Sequence, residues 1–356
     1  MAPTGSAETT EAAALARRAG LKYLPDDRPG ITRQRRGKGF SYIRSNGRPI
    51  SERERARVRD LVVPPAWRDV WIAPEPDAHL LVTGFDEMGR KQYLYHPAWR
   101  QAADAAKFVR LGSFGKALTK LRRRVAGDIA SESPERVCAA AVLLVDETLI
   151  RPGSRRQYRT MASVGATTLR AKHVEVKRDL VVLDFVGKGG AEHHLEVRDQ
   201  LLARALSDLL DEANGSTLFT TEDGDTIDES MLNDYIERNA GPGFTAKDLR
   251  TWGATSTVVG ELGPVRTEAD ATAKQLEAVV KEAVEIAAEA LGNTPTVCRA
   301  SYVAPVAIDS FMSGALAGHW QASRAGKWMS RAERATERVL AAKSPAVAEP
   351  TGSARR

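Results

Sequence analysis

The spacing of apolar residues changes period part-way along this chain, and that change constrains the fold more than any other feature of its 356 residues. From Ile31 to Trp99 the segments "FSYIRSNGRPI", "VWIAP", "HLLVTGFDEMG" and "RKQYLYH" are short and rich in β-branched and aromatic residues. Asn-Gly, Pro and Gly separate them, the punctuation of strands and tight turns. Among them "SERERARVRDLVVP" opens with Ser51 and Glu54 at capping-box spacing and stops at Pro64, which predicts a helix inside a small β-rich domain. After "AWRQAADAAKFV" the pattern lengthens. "FGKALTKLRRRVAGDIA" is amphipathic, and "SPERVCAAAVLLVDETLI" is apolar on several faces and therefore core. Helices are also predicted in "QLLARALSDLLDEA", "DESMLNDYIERNA", "TAKDLRTWGATSTVVGEL" and "TAKQLEAVVKEAVEIAAEAL". One β interruption breaks this helical half: "HVEVKRDLVVLDFVG" and "AEHHLEV" read as antiparallel strands around a Gly-rich turn that carries Lys188.

The chain is long for one compact unit, and two domains are expected. The reading is an α+β protein: a disordered arm at 1–20, a β-rich domain at 21–103, a mostly helical domain with a small antiparallel sheet at 104–335, and a disordered tail at 336–356. The arm is rich in Ala, Thr and Glu, and the tail contains "AKSPAVAEPTGSARR". No internal repeat is visible.

Lysine and arginine exceed aspartate and glutamate by six, which suits a polyanionic partner. Two cysteines, Cys138 and Cys298, are too few for a disulfide framework or a cysteine-rich zinc site, and a reducing cytoplasm is expected. Neither a secretory signal nor an apolar run long enough for a membrane span is present. There is no H-E-x-x-H, no Walker lysine loop and no Gly-x-Ser-x-Gly, so metal and nucleotide chemistry are disfavoured and no metal site is predicted. "GKGG" lies between strands instead of opening a helix, which makes it a hairpin turn and not a phosphate cradle. His193 and His194, adjacent on a strand, point to opposite faces and read as surface or stacking residues.

Four stretches stand apart: "DETLIRPG" with Arg151, "DFVGKGG" with Lys188, "TAKDLRTWG" with Arg250, and "LGNTPTVCRASYVAP" with Asn293 and Tyr302. Singly, each residue has an ordinary role: a helix cap, a solvated turn lysine, an ion-pair arginine, a half-buried tyrosine. Their order and local contexts together resemble the type IB DNA topoisomerases, in particular the poxvirus-like and bacterial branch. "VGATTLRAKHVEV" and "GRKQYLYH" share the resemblance, which covers roughly residues 25 to 320. It implies a monomeric clamp on double-stranded DNA, associated with the nucleoid. The implied activity is relaxation of positive and negative supercoils by transient single-strand cleavage, with no cofactor, ATP or metal required.

In that resemblance Arg151, Lys188, Arg250 and Tyr302 fall on the family's active-site positions, and Asn293 falls where most members carry histidine. The chemistry suits these residue types. In-line attack on a phosphodiester adds negative charge to the nonbridging oxygens, and the planar guanidiniums of Arg151 and Arg250 neutralise it without a metal. Asn293 adds a neutral hydrogen bond to a phosphate oxygen. Lys188, on a hairpin tip, would protonate the departing 5′-oxygen as general acid. A tyrosine hydroxyl is a poor nucleophile until nearby positive charge favours its phenolate, which the two arginines would supply to Tyr302.

The resemblance also places Gln92, Tyr93 and Tyr95 in a segment that contacts the DNA major groove, with Tyr93 and Tyr95 on one strand face. Lys247, Arg122 and Arg123 are candidate phosphate contacts. Cys298, four residues before Tyr302, reads as a small packing residue that could sensitise the protein to oxidation. The alternatives are a tyrosine recombinase or an inactive DNA-binding protein. Recombinases carry His-x-x-Arg where this chain has Lys247-Asp-Leu-Arg250, and their N-terminal domain is helical.

Overall fold

The computed structural model describes residues 5–342 except 38, 132, 155–157, 160–161, 214–216, 222, 267 and 269, and omits the side chains of 5–9 and 11. Contacts divide it into two compact units, 1–107 and 108–356. The architecture is α+β, as expected from the change of period. The expected arm at 1–20 instead contains helix α1 (Gly5–Arg18), since its Ala and Glu residues are strong helix formers, and Ala16 is buried. The expected tail begins too early, because helix α12 (Arg331–Ala342) runs through its first residues. The remainder, 343–356, lies outside the described residues.

The first unit holds a five-stranded antiparallel sheet in the order β2-β1-β3-β4-β5. Its strands are β1 (Ile31–Arg36), β2 (Gly39–Arg44), β3 (Arg68–Ile72), β4 (Leu80–Phe85) and β5 (Lys91–Tyr95). The sequence "ITRQRR" of β1 carried no strand signal, and its pairing explains why. Only Ile31 and Thr32 also meet β3, while the arginine-rich remainder pairs with β2 alone and stays largely exposed. Helix α2 (Glu52–Asp60) starts at the predicted capping box: Glu54 N donates to Ser51 Oγ at 3.3 Å, and Ser51 N donates to Glu54 Oε2 at 2.8 Å. Its Val58 joins Ile31, Ile50, Val70, Ile72, Leu81 and Val82 in the core.

Helix α3 (Pro97–Ala130) is continuous across the expected boundary at 103/104. Its glycines are tolerated because packing needs one of them: a Cβ on Gly115 would lie 2.3 Å from the Trp252 ring. Helix α4 (Arg136–Thr148) is buried along most of its length, as its apolar sequence requires. The β interruption is a three-stranded antiparallel sheet, β6 (Val174–Lys177), β7 (Leu180–Val186) and β8 (Glu192–Arg198), in the order β6-β7-β8. The first predicted strand is divided by a turn in which Arg178 takes φ 59°. Helices α5 (Gln200–Glu212), α6 (Glu229–Ala240), α7 (Ala246–Leu262) and α8 (Ala273–Leu291) follow the predicted periodicity. Short helices α9 (Pro295–Ser301), α10 (Pro305–Met312) and α11 (Ala315–Gln321) precede α12. A second apolar cluster, from α7, α8 and α10, supports the Tyr302 region.

Candidate active site

Arg250 lies on α7 and is 3% exposed. Gly253 lets this helix approach the end of α4, since a Cβ there would lie 2.3 Å from Leu149 Cδ2. Leu149 closes α4 in the left-handed conformation (φ 56°), and its carbonyl accepts from Arg250 Nε at 2.7 Å. The carbonyl of Leu291, the last residue of α8, accepts from Nη2 at 2.8 Å. Two helix C-termini therefore face one guanidinium, and their partial negative charge favours a cation. Among the described residues no carboxylate forms an ion pair with it. Burial draws its pKa below the ordinary arginine value, the Tyr302 hydroxyl opposes that, and the Arg151 charge adds to it. The third nitrogen, Nη1, donates to Tyr302 Oη at 3.2 Å, with the guanidinium carbon 5.1 Å from the tyrosine ring centre.

Tyr302 is the residue that ends α9, and the chain there is held on both sides by Thr255. Thr255 Oγ1 donates to the Tyr302 carbonyl at 3.0 Å and accepts from Ala304 N at 3.1 Å. Thr255 is fully buried five residues beyond Arg250 on α7, so one helix orients both residues. Cys298 is fully buried and burial pushes its thiol up to about 11, which makes it a packing residue in its thiol form.

Arg151 follows α4 in a segment locked by close backbone contact. Its carbonyl accepts from Ala166 N at 2.8 Å, and a Cβ on Gly165 would sit 2.6 Å from that same oxygen. Arg151 Nη2 donates to Asn293 Oδ1. Asn293 follows Gly292, which ends α8 with φ 60° and ψ 45°, and Asn293 N donates back to Ala288 O at 2.9 Å. The buried Asn293 Nδ2 has no partner among the described residues. Arg151, Arg250, Asn293 and Tyr302 are thus linked by side-chain hydrogen bonds in two pairs. Lys188 lies apart from those bonds. It is exposed on the β7–β8 connection, and Gly189 and Gly190 beside it take φ 78° and 79°.

The other predicted residues separate. Gln92 Nε2 donates to Asp86 Oδ2 at 2.8 Å. Tyr93, 44% exposed, stacks on Tyr95 with ring centres 6.0 Å apart and planes at 7°, which places both on one face of β5 as predicted. Lys247 and Arg123 are exposed. Arg122 turns inward: Nε and Nη2 donate to the Asp146 carboxylate at 2.6 and 3.0 Å, and Nη2 lies 2.8 Å from Glu333 Oε1. Burial, the largest influence on its pKa, is outweighed by these two carboxylates, which raise it. Sequence reasoning missed Thr255 and the two backbone carbonyls on Arg250, which carry no sequence signature. It also passed over His193 as a stacking residue; the glycines before Lys188 and Asn293 were the available signal.

Two family descriptions match the chain. Residues 96–313 match the eukaryotic DNA topoisomerase I catalytic core, and residues 39–86 match the bacterial DNA topoisomerase IB N-terminal domain. A DNA topoisomerase 1B of Acanthamoeba polyphaga mimivirus is 31% identical over 286 residues, 77% of this chain and 85% of the viral one. The DNA topoisomerase 1B of vaccinia virus (strain Copenhagen) is 27% identical over 243 residues, 65% of this chain and 72% of the viral one. A plant DNA topoisomerase 1, from Daucus carota, is 31% identical over 135 residues, 37% of this chain and 16% of its own length. A catalytic core and an N-terminal domain matched in succession define a DNA topoisomerase, a DNA-binding isomerase. The chain belongs to the type IB family. Among the described residues no helix is long and apolar enough to cross a membrane, and no group of three or more His, Cys, Asp or Glu could hold a metal ion.

Proposed function

We propose that this enzyme relaxes positive and negative supercoils through a 3′-phosphotyrosyl intermediate on Tyr302, as a monomer, without ATP, metal or other cofactor. The observation that carries the reading is the convergence of a buried guanidinium, unpaired with any carboxylate among the described residues, on the Tyr302 hydroxyl. Tyr302 Oη attacks the phosphorus in line and its proton passes to solvent. The bond from phosphorus to the 5′-oxygen breaks, and Lys188 supplies the proton that oxygen needs. Arg151 and Arg250 bind the nonbridging oxygens as their charge grows, and the buried Nδ2 of Asn293, unpartnered among the described residues, adds a further hydrogen bond. The free 5′-hydroxyl turns about the intact strand and then attacks the phosphotyrosine, which restores both bonds. The ester conserves the bond energy, so no ATP enters.

Tyr93, Tyr95 and Gln92 supply DNA contacts from β5, with Lys247 and Arg123 on phosphates. Arg122 is assigned a bracing role because its charge is consumed by Asp146 and Glu333. In the cell the enzyme works on the cytoplasmic nucleoid. The test is supercoiled plasmid incubated with purified protein, EDTA and no ATP. A ladder of relaxed topoisomers is expected, and Tyr302→Phe should abolish both relaxation and covalent trapping on DNA while leaving binding intact. Covalent trapping that survived in Tyr302→Phe would remove Tyr302 as the nucleophile.

A further inference from the structure

His193 belongs to none of the groups assigned above, yet it touches the supports of two of them. It lies on β8 directly opposite Phe185 of β7, and the two rings stack 4.7 Å apart with planes 12° from parallel. The imidazole also packs against two glycines that are distant in sequence. A Cβ on Gly187 would lie 2.7 Å from Nε2, and one on Gly292 would lie 2.4 Å from Cε1. Real side chains do not approach that closely, so both glycines are required by the ring. Each immediately precedes a residue of the proposed site: Gly187 leads to Lys188, and Gly292 leads to Asn293. Backbone bonds close the Lys188 connection on itself, from Gly187 N to Ala191 O at 2.7 Å and from Gly190 N to Gly187 O at 3.3 Å, and the ring of His193 packs on its buried first glycine while Gly189 and Gly190 stay exposed.

We infer that His193 is a positioning residue: its ring is the spacer that sets the Lys188 hairpin against the Asn293 turn, so that the proton donor and the amide that hydrogen-bonds the phosphate face the same scissile phosphate. The inference rests on the assignments of Lys188 and Asn293 made above. The ring acts as a neutral, planar wedge. Burial, and then the positive charges of Arg151 and Arg250, hold its pKa below the ordinary histidine value. Its flat face sits on Phe185 while its Nε2 and Cε1 edge meets the glycines, so shape rather than protonation is what it contributes.

The test is single-turnover cleavage of a duplex oligonucleotide by the full chain, with noncovalent affinity measured in parallel. His193→Ala should slow cleavage by roughly ten- to a hundredfold, the range that ångström-scale misplacement of a reacting group produces, and leave DNA affinity near wild type. A substrate with sulfur in place of the bridging 5′-oxygen expels a thiolate that needs no proton, so it should restore most of the His193→Ala loss. His193→Phe, which keeps a flat ring, should cleave the ordinary substrate faster than His193→Ala. Gly187→Ala offers a route that leaves the histidine in place: its methyl should displace the ring and slow cleavage, and combined with His193→Ala it should add little further loss.

Normal cleavage by both His193→Ala and Gly187→Ala overturns the inference, and so does a slow His193→Ala that neither sulfur nor His193→Phe relieves. If His193→Ala does not fold, Gly187→Ala decides alone. Lys188→Ala on the sulfur substrate tests the general-acid assignment separately: failure of sulfur to rescue Lys188→Ala refutes that assignment whatever His193 does.

Discussion

Two arginines in the helical unit, one half-buried and one buried, have opposite surroundings, and the difference separates a cation spent on carboxylates from one that, among the described residues, meets none. Arg122 is gripped by Asp146 and Glu333, two carboxylates for one guanidinium, and its charge is spent inside the fold. Arg250 is more deeply buried but meets two helix-end carbonyls and a tyrosine hydroxyl. Those groups accept one hydrogen bond from each of its nitrogens without cancelling its charge. An unneutralised buried cation is expensive, and here its cost is carried by the partial charges of two helix C-termini. In the proposed reaction a phosphate arriving at Arg250 would meet a charge that is already desolvated and oriented.

The comparison predicts its sharpest contrast in stability. Arg122→Ala would leave Asp146 and Glu333 buried beside each other without their cation, and should destabilise the protein by about 3–5 kcal/mol in denaturant unfolding. The fraction that stays folded should cleave at the wild-type rate. A slowed chemical step in folded Arg122→Ala would show that the two arginines are not so distinct. Arg250→Ala should behave in the opposite way, losing about 10²–10³-fold in cleavage rate, the range for deleting one charge-stabilising donor. Arg250→Lys should recover only part of that, because a lysine cannot reach both carbonyls and the phosphate with one ammonium.

Acid titration sharpens the same contrast. Glu333 is pushed up by burial, but Arg122 outweighs this and holds its carboxyl below the usual glutamate value. The stability this shift supplies is present above the unfolded glutamate pKa of 4.5 and is lost as pH falls through the lower folded value. Unfolding free energy of the wild type should therefore drop on acidification below that point. In Arg122→Ala the acid limb should flatten or reverse, since the unpaired carboxyl then prefers its proton. The smallest effect concerns DNA affinity: Arg123→Ala should reduce the slope of log affinity against log salt by about 1, whereas Arg122→Ala should leave the slope unchanged.

A second contrast lies within the site. Arg151, Asn293, Arg250 and Tyr302 are tied by hydrogen bonds to one another or to buried backbone. Lys188 stands on an exposed turn flanked by glycines in positive φ. In the proposed reaction charge stabilisation would thus be built in advance, and the proton donor would be presented from a strand connection. The imidazole of His193 packs against the glycine before Lys188 and the glycine before Asn293.

Much of this was legible in the residues alone. Apolar periodicity located the long helices, Ser51 and Glu54 announced the start of α2, and the run "AAAVLLV" in α4 declared a core helix. These signals are local, acting within a turn or two of helix. Arg151, Lys188, Arg250, Asn293 and Tyr302 were recognisable by order and context. The pairings of Arg151 with Asn293 and of Arg250 with Tyr302 were not, because Arg151 and Asn293 are 142 residues apart and meet only once α4 and α8 have both packed against α7. The same limit hid the inward turn of Arg122, whose partner Glu333 is 211 residues away and outside any helical pattern that "KLRRRV" could reveal. It also hid strand β1, whose arginines suit the exposed ribbon it forms with β2. Sequence determined which groups are available and which segments are helix or sheet. Only the tertiary structure decided which arginine keeps its charge, because that depends on what is brought beside it.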